Sequence, residues 1–227
     1  MRDLYEVELE ELESLLREEG ELVDRAIRGA LNALARDDLE LVDELIAFDD
    51  EIDSRYMTIE QGIPSLLARQ TPVASDLRLV LAILYINLHL ERIADYCVTI
   101  AKLVKLARGL PRDAGVLEAL EEMGERCREM LSTGLADFHA RSAGNFEALV
   151  DMDRPIDRAN RKLIDRLIAL GPDESQREWA MRMILLSRCL ERIGDHAVDI
   201  AEQTAYLVRG RFEEFTDASH KPPPATT

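Results

Sequence analysis

Apolar residues recur at the three- and four-residue spacing of one helix face through almost the whole chain, and the breaks between these runs mark out six segments. Leu9, Leu12, Leu16, Val23, Ile27, Leu31 and Leu34 form the first, which stops at Arg36-Asp37-Asp38. Val42, Leu45, Ile46, Ile52, Tyr56, Ile59, Ile63 and Leu66 form the second, whose far end Gly62 and Pro64 are expected to kink or break. In TPVASD, Pro72 reads as a stop and Ser75 or Asp76 as the N-cap of a third helix reaching about Leu106. After RGLPRDAG come a helix from Val116 to about Arg141, another from Asn145 to about Leu170, and a GPDES turn with Asp173 or Ser175 as cap. A last helix runs through Val208. The pattern predicts an all-α fold: six long helices arranged as two repeated three-helix bundles, each helix spanning on the order of 40 Å at about 1.5 Å per residue. The expected division is residues 1–108, residues 114–210, and a tail at 211–227 whose three consecutive prolines predict disorder.

The halves also repeat in wording. ERIADYCVTIA (Glu91 to Ala101) returns as ERIGDHAVDIA (Glu191 to Ala201), 100 residues later. Upstream, AFDDEIDSR is echoed by DMDRPIDRA, so that Asp49 and Asp53 correspond to Asp153 and Asp157 at an offset of 104. The four-residue change of offset is expected in the connection between the second and third helix of each half.

Each echo carries a D/E-x-x-x-D pair. On the third helix Leu79, Ile83, Ile86, Leu90, Ile93, Cys97, Ile100 and Val104 make the core stripe, and on the sixth Trp179, Met183, Leu186, Leu190, Ile193, Ala197 and Ile200 do the same. Glu91 and Asp95 lie about 160° from Ile93 at 100° per residue, as Glu191 and Asp195 do from Ile193; Asp199 and Glu202 extend the second row, with only Arg188 beside it. A solvated face is the bland alternative, because like charges at i,i+4 cost only about 0.2–0.5 kcal/mol. Asp49, Asp53, Asp153 and Asp157, however, interrupt partly apolar faces, where a carboxylate needs a counter-charge or a proton. If neighbouring helices bring the pairs together, four carboxylates converge in each half, and all-oxygen ligands suit Mg²⁺, Mn²⁺ or iron. Pro155 inside the fifth-helix pair removes one backbone donor.

Composition narrows the partners. Net charge −17 repels nucleic acid and anionic lipid, and favours cations and basic protein surfaces. No run of apolar residues suggests a transmembrane segment, and the acidic start is unlike a secretory signal, so a cytoplasmic location is expected. Cys97, Cys127 and Cys189 lack C-x-x-C spacing and are expected as small buried side chains. No enzyme is expected. The Glu-x-x-His of di-iron bundles and Gly-rich phosphate loops are absent from the sequence. His89 and His139 read as ordinary polar helix residues, and His196 as at most a support for a metal ligand.

TPVASDLRLV, LERIADYCVTIA and CLERIGDHAVDIAE together resemble the signature of the PhoU family, and the resemblance extends over nearly the whole chain. It implies a PhoU-like six-helix fold with spectrin-repeat-like packing and multinuclear clusters of divalent or trivalent metal ions (iron, manganese, magnesium or zinc). The implied ligands are Asp49, Asp53, Glu91 and Asp95 in the first half, and Asp153, Asp157, Glu191 and Asp195 with Asp199 in the second. It further implies a negative regulator of high-affinity phosphate uptake and of the phosphate-starvation response, a homodimer that contacts the ATPase subunit of the phosphate ABC transporter and a phosphate-sensing histidine kinase. A metal-handling or oxidase protein on the same bundle is the alternative. Where the second copy has His196 and Asp199, the first has Tyr96 and Thr99, so the second site is expected to be the better equipped.

Overall fold

The structure, a computed structural model, describes residues 2–36, 38–169 and 173–211. These form six helices: α1 (Arg2–Arg36), α2 (Leu39–Gln70), α3 (Ser75–Ala107), α4 (Ala114–His139), α5 (Phe146–Ile168) and α6 (Glu174–Arg209). The tail expected to be disordered lies, beyond Arg211, outside the described residues. Side-chain caps open three of them: Asp38 accepts from the Glu40 amide at 2.9 Å, Asp113 from Val116 at 2.9 Å and Asp173 from Gln176 at 3.1 Å. At the other end α6 stops on Gly210, whose φ of 71° is the left-handed geometry that glycine adopts without strain.

Three local expectations are corrected. Neither Ser75 nor Asp76 caps α3; the cap position is Ala74, with φ 50° and no side-chain cap bond. The reversal from α2 to α3 takes only residues 71–74, and Thr71 and Ala74 both take a positive φ to make it, so Ser75 is already helical. Nor do Gly62 and Pro64 end α2, which continues to Gln70. Pro64 lies on the exposed side, where water can satisfy the carbonyl it leaves unpaired. The offset change therefore sits inside a helix, because α2 runs 32 residues against 23 for α5 while the connections after them are of similar length. Four residues add about one turn, which lengthens a helix while nearly preserving the direction of its apolar face.

Within each half all three helices touch one another, and the halves join through α3 against α6 and α1 against α4. The second contact has its own twofold character. Gly20 faces Leu135 and Gly124 faces Leu31, pairs exchanged by the 104-residue offset. Arg141 bonds Glu13 at 2.5 Å and Arg128 bonds Asp24 at 3.0 Å, so one number falls as the other climbs and the two helices run antiparallel. Helices α3 and α6 each pack on three partners and bury far more than one stripe: Val80, Ala82, Ala94 and Ala101 join the predicted set on α3, and Ala180, Gly194 and Ala201 on α6. Leu79 alone of the predicted residues is only half-buried. Each large aliphatic side chain fully buried here contributes about 1.5–3 kcal/mol.

A polar link ties the inner helices of each half beside the acids. Asn87 Nδ2 donates to the Tyr56 carbonyl at 3.4 Å, and the Ser187 hydroxyl donates to Asn160 Oδ1 at 2.9 Å. The positions correspond, 87 to 187 and 56 to 160, so both halves fix the same register of second against third helix.

Candidate metal-binding acid clusters

In the first half the register places Asp49 and Asp53 of α2 against Glu91 and Asp95 of α3. Burial raises the Asp49 carboxyl, and the charges of Asp53 and Asp95 raise it further, while Lys102 opposes them. Burial likewise raises Glu91, with Asp95, Asp53 and Asp49 adding to it against Arg92. Asp49 and Glu91 thus sit in a neighbourhood of carboxylates from two helices whose charges disfavour their ionised forms. Glu91 is 19% exposed and Asp95 53%, so the cluster opens outward from a half-buried floor.

A fifth acid, absent from the expectations, approaches from α1. Glu19 is fully buried, neither of its carboxyl oxygens has a hydrogen-bond partner, and burial followed by the charge of Glu91 pushes it up to about 9. It holds a proton at neutral pH unless a cation replaces that proton. The sequence held a signal for it: Glu19 fills the gap between Leu16 and Val23 in the apolar stripe of α1, a core position given to an acid. At the 104-residue offset the second half has Met123 there, 1% exposed.

In the second half Asp195 is raised by burial, lowered by Arg192, and raised again by Asp157 and Asp199. Asp153 Oδ1 comes so close to the α6 backbone that a Cβ at Gly194 would stand 3.0 Å from it, and the first half has Ala94 at that place. Glu191, 13% exposed, is held by Arg188. Cys127 is poorly suited as a ligand: burial raises its thiol, Asp153 adds to this, and its Sγ donates to the Leu190 carbonyl at 3.1 Å.

Two features depart from the sequence expectation. The rows do have cations of their own. Arg92 reaches Asp95 at 3.2 Å and Glu91 at 3.4 Å, Arg192 reaches Asp195 at 3.1 Å, and Arg161 lies 3.7 Å from Asp157. A long side chain reaches along the helix to an acid three residues on, even when its Cβ points elsewhere. These arginines are about half-exposed, and such pairs are worth about 0–1 kcal/mol, so a cation can displace them at little cost. Asp199, placed with the second ligand set, turns instead toward α3, where its Oδ2 lies 3.4 Å from His89 and 3.3 Å from His196. His89 is thus no ordinary polar helix residue. In the first half Tyr96 stacks on His196 with ring centroids 5.9 Å apart, and Thr99 Oγ1 donates to the Asp95 carbonyl at 3.0 Å.

The donor set of both clusters is oxygen alone, with mutually repelling carboxylates and, in the first, an acid buried without a partner. This is the chemistry of a hard or borderline cation site. A groove of about 1200 Å³ lies elsewhere, between α1 and α4, where arginines such as Arg25 and Arg128 alternate with Glu21, Asp24 and Glu125.

The PhoU domain profile matches the chain twice, at residues 16–104 and 120–204. A phosphate-specific transport system accessory protein PhoU homolog of Clostridium acetobutylicum is 28% identical over 95% of the chain and 99% of that relative. The homolog of Pseudomonas aeruginosa is 32% identical over 95% of the chain and 88% of that protein. Among solved structures, the phosphate transport system regulatory protein PhoU from Streptococcus pneumoniae superimposes with a TM-score of 0.84 at 30% identity, covering 93% of the chain and 100% of that structure. PhoU from Pseudomonas aeruginosa gives 0.85 at 31% identity, covering 91% and 100%.

Proposed function

The chain belongs to the PhoU family, and from that membership we propose that it restrains high-affinity phosphate uptake and the phosphate-starvation response, as an adaptor between the phosphate ABC transporter and its sensor kinase. It is an accessory protein of the phosphate transport system. The observation that carries the finer reading is the match of both repeats, over nearly the full length, to accessory and regulatory proteins of that system. The partners are the transporter's ATPase subunit and a phosphate-sensing histidine kinase, met in the cytoplasm by a homodimer. No helix among the described residues is long and apolar enough to cross a membrane, and a net charge of −17 favours docking on basic protein surfaces. The role is one of contact rather than turnover, in keeping with cysteines whose thiols burial raises away from nucleophilic use.

Metal belongs to the same proposal. Asp49, Asp53, Glu91 and Asp95, with Glu19 beneath them, hold one site; Asp153, Asp157, Glu191 and Asp195 hold the other. A bound cation would supply charge neutralisation. The chain's own part is to hold the carboxylates on facing turns of adjacent helices, near enough for a cation to draw them together, with Arg92 and Arg192 shielding them until it competes.

The test uses a bacterium deleted for its own homologue and carrying a phosphate-starvation reporter. Expression of the chain should restore silence of the reporter in phosphate-rich medium, and affinity capture from those cells should recover the ATPase subunit or the kinase. A reporter that stays on, with folded protein present and neither partner captured, would sink the adaptor role.

A further inference from the structure

Outside both acid clusters, where α3 meets α6 between the repeats, three ligand-type side chains converge. His89 Nδ1 lies 3.1 Å from His196 Nδ1, and Asp199 Oδ2 lies 3.4 Å from the first and 3.3 Å from the second. The three atoms form a nearly equilateral triangle. A ring N–H···N hydrogen bond would account for the 3.1 Å contact between the imidazoles, but it leaves both contacts with Asp199 unexplained. Charge-assisted N–H to carboxylate bonds run about 2.7–2.9 Å, shorter than either contact with Asp199. Two N–H groups aimed at one oxygen would also hold their nitrogens farther apart than 3.1 Å, because the hydrogens would collide.

The triangle has the size of a face of a metal's coordination tetrahedron. Ligands at about 2.0–2.1 Å from a tetrahedral ion stand about 3.4 Å from one another. We propose that His89, His196 and Asp199 bind a single borderline transition-metal ion, Zn²⁺ best among common ones, as a clamp between the two repeats. This goes beyond the phosphate reading and does not rest on it. Two imidazole nitrogens and one carboxylate oxygen are softer than the all-oxygen clusters and select zinc over magnesium. His196 and Asp199, three residues apart, share one face of α6, while His89 comes from α3, so the ion would join segments more than a hundred residues apart. Tyr96 stacks against the His196 ring at an interplanar angle of 29° and orients it. His89 and His196 are 16% and 20% exposed and Asp199 39%, which leaves the fourth position on the solvent side for water or a partner's ligand. Among the described residues the site occurs once. Its counterpart at the 100-residue offset would be Cys189, Tyr96 and Thr99, which lacks any imidazole or carboxylate.

The experiment titrates Co²⁺ into chelator-stripped full-length protein with excess Mg²⁺ present to occupy the all-oxygen clusters. Four-coordinate Co²⁺ absorbs strongly in the visible and six-coordinate Co²⁺ weakly. An intense band is expected to saturate at one equivalent, to bleach on addition of one equivalent of Zn²⁺, and to vanish in both His89→Gln and His196→Gln at unchanged helical circular dichroism. Zinc affinity in either variant should fall about 100-fold or more. On the unaltered protein, Zn²⁺ should shift the ring-nitrogen resonances of His89 and His196 and leave those of His139 in place. No intense band in the unaltered protein, an equal band in the variants, or zinc leaving the His89 and His196 resonances unmoved would overturn the proposal.

Discussion

Around Glu91 the chain places a buried glutamate below the acids, an alanine beside them and a tyrosine and threonine one turn on; around Glu191 the same places hold a methionine, a glycine, a histidine and an aspartate. The first cluster therefore rests on a buried carboxyl that stays protonated at neutral pH unless a cation takes the proton's place. In the second, Gly194 lets Asp153 lie against the α6 backbone, and charge is shared with the interface between repeats through Asp199. Duplication preserved the register, since Asn87 and Ser187 still tie equivalent turns, while each copy drifted in what surrounds the acids. Two sites with one backbone plan are thus expected to differ in affinity and in pH response.

Removing each cluster separately has the largest expected effect. Glu91→Ala/Asp95→Ala and Glu191→Ala/Asp195→Ala should each lose the metal of their own half and keep that of the other, at unchanged helicity, by metal analysis of purified protein. Metal content equal to the unaltered protein in both would remove the clusters as ligands.

Next comes the junction of α1 and α4, where the repeats again differ in detail. A Cβ at Gly124 collides with both methyls of buried Leu31 and stands 3.0 Å from its Cγ, whereas at Gly20 only one tip of half-buried Leu135 is close, at 2.7 Å. Gly124→Ala should lose about 1–3 kcal/mol in urea unfolding, and Gly20→Ala should stay within about 1 kcal/mol because the helix propensity of alanine offsets the contact.

Glu19→Met, which copies Met123 into the first half, should stabilise the metal-free protein by about 1–3 kcal/mol at pH 4, where the carboxyl is neutral, by removing an unsatisfied buried group, and by more as pH rises. The sign with pH follows from its raised pKa. The folded chain keeps the Glu19 proton up to about 9, but the unfolded chain releases it near the ordinary glutamate value of 4.5. Glu19 therefore contributes stability that is present below about 4.5 and lost as pH rises through about 9. Between those values the unaltered protein should lose up to about 1.4 kcal/mol per pH unit more than Glu19→Met does. Parallel unfolding curves across that range would show that Glu19 is not the buried acid described.

The smallest effect is expected from Gly194→Ala, which restores the first copy's alanine. Its Cβ would meet Asp153 Oδ1 at 3.0 Å, so stability should change by less than about 1 kcal/mol while the second cluster binds metal more weakly. An unchanged binding isotherm would show that the close approach of Asp153 has no part in the site.

Much of this was legible in the residues. The six helices follow from apolar spacing because that spacing is a local property of one segment, and Asp173 reads as a cap for the same reason. The acid rows were visible as interruptions of apolar faces or as the sides opposite them. Other features were not. The cap of α3 failed as an expectation because a four-residue reversal left no room for a side chain to bond back. The extra turn of α2 cannot be told from a longer connection, because sequence spacing counts residues without saying whether they continue a helix. The pairing of Arg92 and Arg192 is not legible in the sequence, because it depends on where a long side chain can reach and how much water surrounds it.

By itself the sequence determined the helices, the doubling, and the rows of acid on the second and third helix of each half, since all of these repeat with the period of one rod. Only the tertiary structure decided that Glu19 is sealed under the first row and that His89, His196 and Asp199 meet between the halves. Both depend on which rods lie against each other and at what height, and periodicity within a segment carries no record of the neighbour it will press upon.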